Sequence, residues 1–275
     1  MKTILAATDF SKASRHAVTY AAEMAKKCKA KLVLLHSYLP PVMLSDVPVV
    51  IPGLEELEKD ALKIMRRTVS GLHLKHGRGL KVEMVCKYAM AVDAIRDYAS
   101  ENKVDLIIMG MRGASVLSEK LLGSITTDVI KQSHVPVMSI GHKVKFKAPK
   151  NIVFATDYQQ IESPSALDPL KTIATLFKSN IHVLNVVPKA TAIPTVSQAA
   201  EGIKIEHLLE GYKHNFHAIV NKNVADGINE FVKLRKADLV VMIPRKHNIF
   251  QTVFKGRSTK QVAFHTNVPL LTIHE

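Results

Sequence analysis

Leu5-Ala6-Ala7-Thr8-Asp9 recurs 148 residues further on as Val153-Phe154-Ala155-Thr156-Asp157. Two more blocks repeat in the same order. Asp105-Leu106-Ile107-Ile108-Met109 returns as Asp238-Leu239-Val240-Val241-Met242, and Val135-Pro136-Val137 through Ile140 returns as Val268-Pro269-Leu270 through Ile273, both at an offset of 133. Ordered blocks of this kind mark a tandem duplication. The offset falls by 15 (148 − 133), so the second copy lacks about 15 residues between its first and fourth strands.

Each copy alternates between two periods. In the first, Ile4–Ala7 is a short apolar run suited to a buried strand. Ser11–Cys28 reads as a helix capped by Ser11, with Ala13, Ala17, Tyr20, Ala21 and Met24 on one face. Lys31–Tyr38 is a second strand, Leu39–Gly53 is Pro-rich and irregular, and Leu54 to about His76 is a long charged amphipathic helix. Val82–Tyr88, Asp105–Met109 and Val135–Ile140 supply three more strands, with helices at Met90–Asn102 and Gly123–Ser133 between them. Strands alternating with helices imply right-handed βαβ units around a parallel sheet buried on both faces. The expected fold is α/β: two tandem five-stranded parallel α/β sandwich domains of Rossmann-like, adenine-nucleotide alpha hydrolase-like type. Residues 1–142 and 150–275 are the expected domains, joined by a Lys-rich linker at about His142–Pro149.

Composition narrows the class. The 275 residues are 47% apolar and 23% charged, as in ordinary globular chains, which excludes a disordered or collagen-like protein. Aromatics are only 5% and Trp is absent, so the core must be aliphatic. No apolar run approaches the ~18–20 residues of a membrane span. The acid at Asp9 interrupts the N-terminal apolar run too early for a secretory leader. Two cysteines, Cys28 and Cys86, lack CxxC spacing and read as buried thiols in a reducing cytoplasm. The net charge is +14, split +9 up to Lys147 and +5 beyond it. That field favours anionic partners without defining a site. No RNP-like, zinc-finger or basic-zipper pattern accompanies it, so nucleic acid is a weak alternative.

The site-bearing stretch follows the fourth strand: Gly110-Met111-Arg112-Gly113, nine residues, then Gly123-Ser124-Ile125-Thr126. In open α/β sheets, ligands lie beyond the carboxyl ends of the strands. Glycine there permits close approach of backbone N–H groups to an anion and allows positive φ. Gly123-Ser124 opens a helix whose first N–H groups suit a phosphate, with Ser124 and Thr126 adding hydroxyls and Arg112 a charge. The spacing is neither a Walker A loop nor GxGxxG. On chemistry alone, a tight turn at Gly110 and Gly113 is the competing explanation.

The first copy resembles the universal stress protein family. The resemblance rests on Thr8-Asp9-Phe10-Ser11, Leu35-His36, G-x2-G-x9-G-[ST] at Gly110, Gly113, Gly123 and Ser124, and Val135-Pro136-Val137. It implies a small five-stranded parallel domain that binds ATP or ADP, with Mg²⁺ as an accompaniment of the phosphates. It implies that Asp9 approaches the adenine or ribose end, and that Ser37, where Val is more usual, contacts adenine through its backbone. Gly110 and Gly113 would follow the ribose and phosphates, and Gly123, Ser124 and Thr126 the phosphate tail. It also implies pairing of last strands, Val135–Ile140 against Val268–Ile273, followed by homodimerisation. The expected role is a nucleotide-dependent stress-response regulator. No general base is aimed at a γ-phosphate, so hydrolysis would be slow at most. An adenylating enzyme of the related α/β class is the rival reading, but Thr8-Asp9-Phe10-Ser11 is neither an HxGH-type nor an SGGxDS-type loop. A basic module for anions or nucleic acid is the third.

The second copy departs from the motif. Ile243 stands at the place of Gly110, Lys246 at Gly113 and Arg257 at Ser124, while Gly256 and Asp157 keep their counterparts. A β-branched Ile and the N–H-less Pro244 oppose close backbone approach, so only the first copy is expected to bind nucleotide. Arg245, Lys246, Lys255, Arg257 and Lys260 read as a solvated basic surface. His73/His76 and His214/His217, each three apart, read as ordinary surface pairs rather than metal ligands. His36 reads as a packed or hydrogen-bonded strand end. The apolar stretch Pro40–Pro52 reads as a lid or a partner surface.

Overall fold

A computed structural model describes residues 1–40, 53–111, 123–189, 194–244 and 268–274. It divides into two units, Met1–Gly110 and Met111–Glu275.

The first unit runs β1 (Thr3–Ala7), α1 (Lys12–Cys28), β2 (Lys31–Tyr38), α2 (Leu54–His76), β3 (Val82–Tyr88), α3 (Ala91–Glu101) and β4 (Leu106–Gly110). The strands lie in the order β3-β2-β1-β4, all parallel, with Ala7 opposite Leu35 and Ala6 opposite Ile108. Ile4, Leu5, Leu32 to Leu34, Ile107 and Ile108 are fully buried, as expected for strands covered on both faces. Helix α1 buries small residues, Ala17, Ala21, Ala22 and Ala25, which lets it lie close to the sheet. Its C-cap, Lys29, takes the left-handed conformation and donates its N–H back to Lys26.

The second unit runs α4 (Ser124–Gln132), β5 (Val137–Ile140), β6 (Asn151–Ala155), a 3₁₀ turn (Pro164–Leu167), α5 (Asp168–Phe177), β7 (Asn180–Val187), α6 (Val196–Leu208), β8 (His214–Val220), α7 (Val224–Leu234), β9 (Leu239–Met242) and β10 (Leu270–Thr272). Its order is β5-β10-β9-β6-β7-β8. All neighbours are parallel except β5 and β10, which run antiparallel with Leu271 opposite Met138. The expected pairing of the two last strands is therefore present, and it makes this sheet mixed.

The missing residues can be located. Lys31 to Val82 spans 51 positions (82 − 31), whereas Asn180 to His214 spans 34 (214 − 180). The loss falls between the second and third strands of the copy. It includes part of a helix, since α2 has 23 residues and α6 has 13.

Both copies anchor the start of their first strand in the same way. Asp105 accepts the N–H groups of Lys2 and Thr3, and Asp238 accepts those of Lys150 and Asn151. Lys147, in the linker, reaches Asp238 at 2.6 Å. Phe146 packs edge-on against Phe177.

Candidate functional site

The carboxyl ends of β1, β2 and β4 meet the first turn of α1. The last ladder bond between β1 and β2 runs from the Thr8 N–H to the Leu35 carbonyl at 2.9 Å. The chain then turns sharply, and Phe10 adopts φ 62°, a left-handed conformation costly for a bulky residue. Local bonds hold it there. The Phe10 N–H donates to Thr8 Oγ1 at 3.0 Å, and the Ser11 N–H donates to Asp9 Oδ1 at 3.0 Å. Ser11 caps α1 by accepting the Ser14 N–H, as its position in the sequence predicts.

Asp9 is therefore an exposed carboxylate on a fixed turn. Partial burial tends to raise its pKa, but the Ser11 and Ser14 hydroxyls and the Ser11 N–H outweigh that and hold it below the ordinary range. It stays ionised at neutral pH and offers only acceptors. Ser37 is half-buried on β2, opposite Lys87 of β3. His36, just before it, donates Nδ1–H to the Thr8 carbonyl at 2.8 Å and stacks on Phe10 at 4.2 Å. Spacing alone could not supply this contact, because it depends on the β1–β2 register.

Gly110 ends β4 and has a packing role beside helix α1. Its φ lies outside the left-handed range; among the described glycines only Gly77 and Gly211 have positive φ. A Cβ on Gly110 would meet the Ala13 carbonyl oxygen at 2.6 Å, so the glycine makes room for α1. Asp9 and Gly110 thus adjoin the same helix turn. Arg112 and Gly113 lie outside the described residues.

In the second unit, Gly123 stands at the N-cap of α4 and no side chain caps that helix start. Ser124 is exposed, whereas Thr126 is buried. The turn of the first copy is reproduced after β6. Tyr158 has φ 54°, its N–H donates to Thr156 Oγ1 at 3.1 Å, and the Gln159 N–H donates to Asp157 Oδ1 at 3.2 Å. Here, however, helix α6 closes on the loop that follows. Gln198 donates to the Asp157 carbonyl, the buried Glu201 accepts the Ile161 N–H at 2.9 Å, and Lys204 donates to the Ile161 carbonyl. Ile243 is half-buried; Lys246, Gly256, Arg257 and the rest of the basic cluster lie outside the described residues, as do residues 41–52 of the expected lid.

The histidine pairs do not act as pairs. His73 bonds the Leu80 carbonyl, and His214 bonds the Tyr212 carbonyl and Glu206. His217 turns to His182, across strands, at 3.1 Å. Three residues apart on a strand point to opposite faces, which a helical spacing rule misses. No cluster of three or more His, Cys, Asp or Glu suited to a metal exists among the described residues. Cys28 and Cys86 are half-buried rather than buried, and desolvation raises both thiols. No described helix is long and apolar enough to cross a membrane.

These features define a class: a duplicated, mostly parallel α/β domain with a polar turn at the carboxyl end of its first strand. The chain belongs to the universal stress protein family, whose model matches residues 1–140 and again 149–274. A universal stress protein of Mycobacterium tuberculosis is 30% identical over 147 residues, covering 50% of this chain and 95% of its own. One of Bacillus subtilis is 28% identical over 152 residues, covering 50% and 97%. A universal stress protein from Archaeoglobus fulgidus shares the fold over 98% of this chain and 97% of its own, with a TM-score of 0.71 at 20% identity.

Proposed function

We propose that the amino-terminal domain, residues 1–142, binds ATP or ADP and that the chain acts as a nucleotide-dependent stress-response regulator in the cytoplasm. The carrying observation is the Asp9 turn. It presents an ionised acceptor, suited to ribose hydroxyls, at the carboxyl end of β1, and the turn is bonded to His36, the residue before Ser37 on β2. The uncapped start of α4 and the exposed Ser124 are donors of the kind a phosphate requires. Gly110, Arg112, Gly113, Gly123 and Thr126 complete the set by resemblance, and Mg²⁺ would be held mainly by the phosphates. The second copy, residues 150–275, has Ile243 in place of Gly110, and α6 fastened to its turn; both features support a copy without nucleotide. The adenylating and nucleic-acid readings have no comparable support. Homodimerisation belongs to the same proposal.

Isothermal titration with ATP and with ADP tests this reading. One site per chain is expected, lost in Gly113→Val and weakened in Ser124→Ala. Two equivalent sites, or occupancy untouched by both substitutions, would overturn it.

A further inference from the structure

The two copies share a bond that they make with different side chains. The carbonyl of Thr8 lies just past the last backbone ladder bond of β1 and takes its proton from His36 Nδ1 at 2.8 Å. The carbonyl of Thr156 occupies the same place after β6 and takes its proton from Asn185 Nδ2, also at 2.8 Å. Register makes the two donors equivalent: Ala7 faces Leu35 and Ala155 faces Leu184, so His36 and Asn185 each follow the facing residue. Both bonds fasten a turn whose third residue, Phe10 or Tyr158, is in the left-handed region. A bulky residue stays in that region only where its surroundings over-determine it. What the two copies keep is the donor and not the imidazole. A carbonyl cannot donate, so the His36 proton sits on Nδ1.

We propose that His36 is a positioning residue for the amino-terminal site. It holds the Thr8 carbonyl, supports Phe10 with its ring face, and thereby sets where the Asp9 carboxylate stands. The inference rests on the nucleotide reading for its ligand, but not for its geometry. His36 acts through the turn, and Asn supplies the same donor in the same register.

The test compares His36→Leu, which keeps an apolar side chain of similar bulk without the donor, with His36→Asn, which restores the donor. Two readouts are taken on the whole chain: ATP affinity by titration, and amide hydrogen exchange at Phe10 and Ser11. His36→Leu is expected to weaken ATP binding by about tenfold, the worth of one hydrogen bond, and to speed exchange at both amides. His36→Asn is expected to recover most of both. A purely structural role would lower the thermal midpoint of His36→Leu while leaving affinity and exchange at wild-type values, and that result overturns the proposal. So does His36→Asn behaving like His36→Leu. If the wild-type chain binds no ATP, the nucleotide reading falls, and the exchange comparison still decides the role of His36. Should His36→Leu not fold, Asn185→Leu is read for exchange at Tyr158 and Gln159. Unchanged protection there would refute the shared role of the bond.

Discussion

A Cβ on Gly110 would stand 2.6 Å from the Ala13 carbonyl oxygen and 2.8 Å from its carbonyl carbon. Those atoms are helix backbone, which cannot swing aside as a flexible side chain can. Gly110→Ala is therefore expected to push β4 and α1 apart, at about 1–3 kcal/mol, the range for overpacking. The second copy shows the other half of this coupling. Ile243 occupies the corresponding position, and α5 begins only at Asp168, after a loop and a 3₁₀ turn. Urea denaturation of Gly110→Ala measures the cost, and a midpoint equal to wild type would refute the packing role.

Asp238 and Asp105 make the same pair of backbone bonds in different surroundings. The Asp238 side chain is 4% exposed and also binds Lys147, whereas the bonds of Asp105 lie at an exposed position. Removing a buried carboxylate strands two backbone donors, at about 1–3 kcal/mol, while the exposed Lys147 falls back on water and an exposed site lets water replace the acceptor. Asp238→Ala should lower stability well beyond Asp105→Ala. Equal losses in parallel denaturation curves would contradict the difference in burial.

The duplication and the strand–helix alternation were legible in the sequence because period and block order are local properties. The Ser11 cap was legible for the same reason. The packing role of Gly110 was not, since a glycine that must lie close to a helix looks like any other until the helix is placed. The bond from His36 to Thr8 and the contact of His182 with His217 each join strands far apart in the chain, and only register brings them together. The motif offered Thr126 as a hydroxyl for the phosphate tail and gave no sign of its burial, which follows from its sharing the α4 face that carries Val129 and Ile130.

Lys31 Nζ and Tyr98 Oη both donate to Glu83, at 2.8 and 2.7 Å. The hydrogen bond from Lys31, then that from Tyr98, hold the carboxyl below its ordinary value, while burial and the Glu83 charge push the Tyr98 phenol well up. A carboxyl with a depressed folded pKa adds stability above its unfolded value of 4.5, and that stability is lost as pH falls through the folded value. The group is partly solvated, so the contribution is under about 1 kcal/mol. Tyr98→Phe should lower stability slightly near neutral pH and, for that reason, reduce the acid-side loss. A larger loss than wild type below about pH 4.5 would reverse the expected sign.

Facing strands of the second copy carry a neutral ladder where the first carries the charged one. Asn215 donates to Asn180, Asn180 donates to His182 Nε2, and the His182 ring meets His217 beside Phe231, over which Arg235 lies. Desolvation first, and then the neighbouring imidazole and Arg235, hold His182 below 6.5; desolvation and Arg235 do the same for His217. With folded values depressed, the unfolded chain binds more protons. Stability is then complete above about pH 6.5 and falls as pH drops through the folded values, the two rings titrating as a pair. The corresponding places in the first copy are Val33 and Val85. The double substitution His182→Val, His217→Val is accordingly expected to flatten the fall of the urea midpoint between about pH 7 and pH 5. A wild-type midpoint that is level across that window, or a double variant that declines as steeply as wild type, would remove these histidines as the cause.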